Sequence, residues 1–304
     1  MRFYLCAFIA GFLIFSSTVS AAMTSTNFEI PFDSINSGGT DNSTSTNFLL
    51  YDTLGEQATG YTTSTNYTVQ AGYRQTEFFE PTLSFSISAQ ENDTQTPYTA
   101  LSKSPTTVTV SSVANFSVGQ YIGVVENLGF SQNFIVGRIT EINGLILTVD
   151  KWDGMVSAIS ITPAGGDDYV YRMEDNNADF GQLDVNLGKT AIVRTNISTN
   201  AASGYTLRVQ TDDYLRASPS AHINNVSDGS VTLGSEEYGA QVYGYTATST
   251  GFDFAATSTL RDIQISTTTA DNDRIGMLYK ISITPVTPAG AYTQTIRYLL
   301  TANF

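Results

Sequence analysis

Short runs of alternating apolar and polar residues, separated by turn-forming residues, recur along the chain and constrain its fold most. The clearest run is Leu83–Ala89, in which leucine, phenylalanine, isoleucine and alanine alternate with serine. This alternation has the period of a β-strand with one buried face, and the Gly, Asn, Asp and Pro residues between such runs favour turns. Only 14% of the residues are charged, which leaves few side chains for solvated helix faces. We therefore expect an all-β protein.

The first 22 residues have the features of a secretory signal peptide. One arginine precedes the apolar run Phe3–Phe15, which is too short to cross a bilayer, and the small residues Ser20–Ala22 follow. We expect cleavage there, a secreted or cell-surface protein, and no integral membrane span after cleavage. The single cysteine, Cys6, lies within residues 1–22. The exported chain would therefore form no disulfide and would depend on core burial and strand pairing.

The charge of the chain limits its partners. Lysine and arginine number 14 against 28 aspartate and glutamate residues, a formal net charge of -14. A chain with this charge is repelled by nucleic acid and by an anionic membrane surface. We therefore expect no nucleic-acid partner.

A repeat occupies residues 23–78. The sequence Ser-Thr-Asn followed by an aromatic residue occurs at Ser25–Phe28, Ser45–Phe48 and Ser64–Tyr67, at spacings of 20 and 19 residues. Each copy leads into an alternating segment, so we interpret the region as a Ser/Thr-rich repeat segment of extended strands or a small β unit. A loose stalk remains the alternative.

The first alternating segment of the repeat is a candidate for strand exchange. Phe28, Ile30 and Phe32 would share one face of an extended strand. Such a strand can add to the sheet of a neighbouring molecule through backbone hydrogen bonds and apolar side chains. The alternative is a flexible spacer.

The remaining chain predicts a sandwich with an insertion. Strand patterns at 79–102 and 164–304, including Gln182–Leu187 and Tyr292–Ala302, indicate an Ig-like antiparallel β-sandwich. Between them, residues 103–163 predict a small β-barrel-like module, in which Asn143–Gly144 is a strong hairpin signal.

Two stretches of this region resemble known proteins. The stretch TNISTNAASGYTLRVQTDD begins at Thr195, and the chain ends with PAGAYTQTIRYLLTANF from Pro288. Both, together with the repeat at Ser45–Tyr73, resemble exported surface β-sandwich proteins of small-genome uncultured bacteria of the candidate phyla radiation type. The terminal strand is also similar to that of spore-coat-U-like and archaic chaperone–usher pilus subunits. The resemblance implies an exported bacterial β-sandwich protein.

Clusters of oxygen ligands suggest calcium as the one candidate cofactor. Asp175, Asn177 and Asp179 alternate as in a calcium loop, although Phe180 replaces the usual glycine. Asp271 and Asp273 form a similar cluster. The alternative is ordinary solvated turns, because Asp and Asn favour turns in any case.

The residue types for most enzyme chemistry are missing from the sequence. With one histidine and no cysteine after cleavage, a His/Cys zinc site cannot form, and no glycine-rich phosphate loop occurs. We therefore expect no enzyme but a secreted structural or adhesive protein that pairs with copies of itself or with other envelope proteins, in a filament or surface layer. One alternative is glycan binding through aromatic residues such as Trp152, Tyr171 and Tyr238. A second is a carboxylate-dependent polysaccharide hydrolase.

Overall fold

The computed structural model describes residues 81–163 and 165–304, together with the backbone of strands between 23 and 71. The described chain is all-β: its strands pair in antiparallel sheets, and a single 3₁₀ turn occurs at Asn92–Thr94. The chain divides into two compact units, Met1–Glu80 and Pro81–Phe304. Within the described residues, no helix has the length and apolar character needed to cross a membrane.

The first unit contains pairs of short antiparallel strands. These are β1 (Met23–Thr24) with β2 (Glu29–Ile30), β3 (Gly38–Thr44) with β4 (Leu49–Leu54), and β5 (Gly60–Thr63) with β6 (Thr68–Ala71). The second and third copies of the repeat lie, in sequence, between the two strands of a pair. Of the strand-exchange candidates, Phe28 and Phe32 lie outside the described residues, and only the backbone of Ile30 lies within them.

Six strands of the second unit form a closed ring, here called the ring module. Along the ring they are β10 (Tyr121–Glu126), β14 (Tyr169–Arg172), β8 (Thr96–Lys103), β9 (Thr106–Val110), β12 (Ile146–Val149) and β11 (Asn133–Asn143). The path closes because β11 also pairs with β10, and the short β13 (Asp153–Gly154) adds to β11. Its interior is filled by buried apolar side chains, among them Val108, Ile122, Val124, Ile135, Leu147 and Val170.

The ring module extends further than the sequence indicates. Its strands begin at Thr96 and end at Arg172, outside the expected limits of 103 and 163. The first strand, β8, contains Pro97, which obscures its alternation, and β14 has only four residues. The hairpin at Asn143–Gly144 is present: β11 and β12 meet there, and Gly144 takes a positive φ of 59°, as a tight turn requires.

Two facing sheets form the rest of the second unit, here called the two-sheet region. The larger sheet contains β7 (Leu83–Ala89), β15 (Lys189–Thr199), β19 (Glu237–Tyr243), β21 (Ala270–Asp273) and β22 (Gly276–Ser282). The smaller sheet contains β16 (Tyr205–Thr211), β20 (Arg261–Ser266) and β23 (Ile296–Ala302), and β17 (Leu215–Ser218) pairs with β18 (Ala221–Ile223). Both sheets contribute to one apolar core. Strands β7 and β15 pair directly, so the ring module is inserted in sequence between two neighbouring strands.

A second apolar cluster joins the ring module to the outer face of the larger sheet. It is formed by Val125, Phe134, Val136, Tyr171, Met173, Ile192 and Leu278. A Cβ atom at Gly276 would lie 2.2 Å from the ring of Phe134, so only glycine permits this approach. The guanidinium of Arg194 stacks 3.4 Å from the centroid of the Tyr121 ring.

Arg274 adds a buried ion-pair network to this junction. Arg274 follows β21 in the chain, just before β22, and its side chain is fully buried. Its Nε donates to Oδ2 of Asp153 at 2.7 Å. Its Nη2 donates to Oδ1 of Asp150 at 2.9 Å and to the carbonyl oxygen of Lys151 at 3.3 Å. One arginine of the two-sheet region thus holds the β12–β13 connection of the ring module.

Stability should fall in acid partly through this network. Burial alone raises the pKa of Asp150, but the hydrogen bond and charge of Arg274, together with the backbone N–H groups of Arg138 and Lys151, outweigh it and lower that pKa below its usual value. A lowered pKa stabilises the fold above the unfolded-state pKa, about 4, and this contribution is lost as the pH falls through the folded-state pKa. We therefore expect the difference in Tm between wild type and Asp150→Asn to shrink when the pH falls from about 6 to about 3. A difference independent of pH would contradict this role.

Candidate functional site

An open groove lies between the two sheets, along the edge formed by β7 and β23. Among the described residues, β7 pairs with β15 and bridges at Ala89 to Asp175, and β23 pairs only with β16. A cavity of about 850 Å³ opens beside them. Its lining comes from β7, β23, the connecting segments 176–185 and 283–294, and single residues of other strands such as β19 and β22. It includes Ile87, Phe180, Leu183, Tyr238, Ile281, Ile283, Ile296 and Tyr298. The two sheets are therefore left uncovered at one edge.

The strand facing this groove on the larger sheet is only partly covered. Leu83–Ala89 was predicted as a strand, and β7 has these bounds. Its inward-facing side chains were expected to be buried, yet Phe85 and Ile87 are half-buried and Leu83 is 45% exposed. At this edge the described residues do not fully cover these apolar side chains, so the side chains remain accessible to solvent.

The terminal strand on the smaller sheet has the same character. Ile296, Tyr298 and Leu300 face the core but are only half-buried, while the alternating Arg297 and Leu299 are exposed on the outer face. The strand therefore offers both a row of apolar side chains and a free backbone edge.

The floor of the groove is a rigid aromatic cluster. The Tyr238 ring stacks on Tyr279 at 6.1 Å, and Phe180 meets Tyr238 edge-on at 6.1 Å. The hydroxyl groups of Tyr279 and Tyr298 are hydrogen-bonded at 2.7 Å. Burial, and then the neighbouring tyrosines, raises the pKa of Tyr298 well above its usual value. These phenols stay neutral, so the floor presents apolar rings and fixed hydroxyl groups.

One rim of the groove differs from the sequence-based prediction. Gln182–Leu187 was predicted as a strand, but the structure has only an isolated bridge between Asp184 and Leu187 there. The alternation has another cause, since Leu183 and Val185 face the cavity while Asp184 and Asn186 are exposed. The prediction of a strand was wrong because groove-facing side chains imitate its period.

The opposite rim, 283–294, is held by side-chain hydrogen bonds. Thr287 donates from Oγ1 to Oε2 of Glu236 at 2.5 Å, and the Tyr292 hydroxyl donates to the carbonyl oxygen of Pro288 at 2.6 Å. These bonds hold the segment beside β23.

The first predicted calcium cluster lies at the groove rim and serves as turn structure. Oδ1 of Asp175 accepts the backbone N–H of Asn177 at 3.1 Å, and Oδ1 of Asp179 accepts that of Gly181 at 2.7 Å. These bonds are the usual turn-forming contacts of aspartate.

The second predicted cluster is separated from the groove. Asp273 accepts from the Tyr205 hydroxyl at 2.6 Å and from Thr246 Oγ1 at 2.9 Å, whereas Asp271 accepts from the Asn272 amide at 2.9 Å. Within the described ranges 81–163 and 165–304, no group of three or more His, Cys, Asp or Glu residues is arranged to hold a metal ion.

Three of the aromatic residues considered for glycan stacking are interior. Trp152 is 8% exposed and donates its indole N–H to the carbonyl oxygen of Ser102 at 3.0 Å. Tyr171 and Tyr238 are also buried, in the junction cluster and the groove floor respectively. These three side chains do not form an exposed stacking surface.

No local pattern in the sequence indicated the groove, although both strands that border it were predicted. Half-burial arises because β7 and β23 lie at the edges of their sheets, and this is a property of the assembled sheets. Comparison with protein-family models, with curated proteins and with solved structures gives no match for this chain.

Proposed function

We propose that the chain is a secreted structural subunit of a cell-surface assembly, and that its groove accepts an extended strand from a neighbouring copy. The two-sheet region would then be an Ig-like sandwich that lacks one edge strand. The observation that carries the proposal is the open edge between β7 and β23, with half-buried apolar side chains on both strands. A strand inserted there would gain backbone hydrogen bonds and cover these side chains.

The free edge of β23 supports an extended peptide as the occupant. An unpaired strand with an accessible apolar row is a template for pairing with another chain, and isolated proteins normally protect such edges with charge or proline. On β23 the inward row is Ile296, Tyr298 and Leu300, and the only charged residue of the strand, Arg297, faces outward. Nothing polar in this row would oppose an apolar strand.

The N-terminal segment of a second copy is the proposed occupant. Phe28, Ile30 and Phe32 provide three apolar side chains at alternating positions, which matches the three inward positions of β23. Pro31 cannot donate a backbone hydrogen bond, so at most one such bond of this strand is lost. The predicted signal peptide precedes this segment, which is consistent with assembly outside the cell.

A charge placed inside the groove is expected to abolish assembly. Ile296→Lys would put an ammonium group among apolar side chains that an added strand must cover, whereas Leu299→Lys places the same group on the outer face of the same strand. We expect wild type and Leu299→Lys to form polymers in electron microscopy and light scattering, and Ile296→Lys to remain monomeric. Polymers of Ile296→Lys equal to wild type would contradict the groove as the acceptor.

The role of the N-terminal segment as the inserted strand is tested separately. The described apolar clusters lie within 85–300, so a chain without residues 23–78 should keep its fold. We expect this deletion to form no polymers and to bind a peptide of residues 23–34, which would raise its Tm. A peptide with serine at Phe28, Ile30 and Phe32 should not bind. Undiminished assembly of the deleted chain would rule out this donor segment.

A further inference from the structure

Two buried carboxylates face the interior of the ring module at one end. Glu126 is the last residue of β10 and is 7% exposed, and Asp168 immediately precedes β14 and is 3% exposed. The antiparallel register of β10 and β14 places them side by side. Val124 and Val170, two positions away on each strand, belong to the interior core, so both carboxylates point into the same interior.

A tyrosine without a hydrogen-bond partner completes this row. The register of β8 and β14 places Tyr98 on the other side of Asp168. Tyr98 is 4% exposed, belongs to the interior core, and its hydroxyl group is buried without a partner. Burial, and then the charges of Asp168 and Glu126, raises the pKa of Tyr98, which indicates that both carboxylates act on its phenol oxygen. Three oxygen-bearing side chains therefore lie in one buried row.

The negative charge of this row is not balanced by the protein. Asp168 accepts the backbone N–H groups of Asn127 at 2.9 Å and Gly165 at 3.1 Å. Oε2 of Glu126 accepts the Asn133 amide and the Ser160 N–H, both at 3.1 Å. All four donors are neutral, and in the described part of the chain neither carboxylate forms an ion pair with a lysine or arginine. Buried charges normally require a counter-charge or a metal ion.

We propose that Glu126, Asp168 and Tyr98 bind a calcium ion inside the ring module. The two carboxylates supply charge that matches a divalent cation, and the phenol oxygen of Tyr98 supplies a neutral ligand. Calcium accepts oxygen ligands in irregular arrangements, and water or backbone carbonyl groups complete its coordination. This site differs from the clusters at Asp175–Asp179 and Asp271–Asp273, and it does not depend on strand exchange.

Bound calcium would fasten three strands of the ring at once. Its ligands come from β8, β10 and the residue before β14, so the ion would replace mutual repulsion of the carboxylates by shared attraction. The exported form of the chain is predicted to have no disulfide, so the bound ion would link strands that no covalent cross-link joins.

The test compares calcium-dependent stability of the full chain and its variants. We expect 1 mM Ca²⁺ to raise the Tm of wild type by about 5 °C relative to EDTA, since a ligand at about 100 times its Kd stabilises the fold to this extent. The same shift should occur in Glu141→Gln, which carries the identical substitution at an exposed site of the same module. It should vanish in Glu126→Gln, and native mass spectrometry should show one Ca²⁺ per wild-type chain.

A second variant, Tyr98→Phe, tests the site even if Glu126→Gln fails to fold. Tyr98→Phe keeps both carboxylates and the ring but lacks the phenol oxygen, so we expect it to fold and to bind Ca²⁺ about ten-fold more weakly in calorimetric titration. No calcium-dependent shift in wild type would overturn the proposal. A full shift that persists in both Glu126→Gln and Tyr98→Phe would place any bound calcium elsewhere and would overturn it equally.

Discussion

Replacement of Arg274 by methionine is expected to lower the free energy of unfolding of the second unit by about 3 kcal/mol. The substitution retains most of the buried volume but removes the charge that Asp150 and Asp153 face. Both carboxylates are already largely withdrawn from water, with exposed side-chain fractions of 31% and 14%. Without Arg274, Asp150 loses its cation and Asp153 keeps only the more exposed Lys151, whose Nζ lies 3.5 Å from Oδ2. Removing one member of a buried ion pair costs more than the pair itself contributes.

A matched control separates burial from the loss of an ion pair as such. Arg208 donates from Nε to Oδ1 of Asp262 at 2.7 Å, the same distance as between Arg274 Nε and Asp153, but Arg208 is 38% exposed. We expect Arg208→Met to change stability by no more than about 1 kcal/mol. In thermal unfolding, Arg274→Met should lower the Tm by about 10 °C and Arg208→Met by no more than about 3 °C. Equal shifts for the two variants would show that the junction does not depend on the buried charge.

The local sequence pattern was sufficient to predict strands that have an uninterrupted alternation and clear turn residues. Leu83–Ala89 coincides with β7, and the hairpin at Asn143–Gly144 is present, because strand period and turn chemistry are properties of a few neighbouring residues. The all-β class follows from the same local signals. The small-module limits of 103 and 163 did not reach β8 and β14, which are interrupted by Pro97 or are very short.

Long-range charge partners left no local signal. Asp271 and Asp273 drew attention as an oxygen cluster, yet the adjacent Arg274 has the larger structural role because it meets Asp150 and Asp153 more than 120 residues earlier. The row of Tyr98, Glu126 and Asp168 is similar, since these residues meet only through the register of three strands. Finding them requires strand order, which alternation does not determine.

The groove was beyond sequence reasoning for a different physical reason. Inward-facing positions on β7 and β23 were recognisable, but their exposure depends on the edge positions of these strands in the folded sheets. Ile87 and Ile296 have the residue types of a core and the half-burial of an interface. A sequence alone does not distinguish a core that is complete from one that a partner completes.

Lys280 and Asp253 form a second buried ion pair, and its two members are expected to be strongly coupled. Nζ of Lys280 lies 2.9 Å from Oδ1 of Asp253, and their side chains are 10% and 4% exposed. Lys280 lies in the middle of β22, the strand between β19 and β15, and Oδ2 of Asp253 also accepts the backbone N–H of Val231 at 2.8 Å. Lys280→Met would leave this carboxylate buried without a cation, at a cost of about 3 kcal/mol.

The double variant decides whether the cost arises from the uncompensated charge. Asp253→Asn removes the charge but keeps an oxygen that can accept the Val231 N–H, so Lys280→Met combined with Asp253→Asn leaves no buried charge and keeps the Val231 N–H paired. We expect the double variant to be more stable than Lys280→Met alone, with a coupling energy of about 2 kcal/mol in denaturant unfolding. Simple additivity of the two single substitutions would mean that the pair contributes through packing only. A recovered double variant would instead show that the buried Asp253 requires the charge of Lys280.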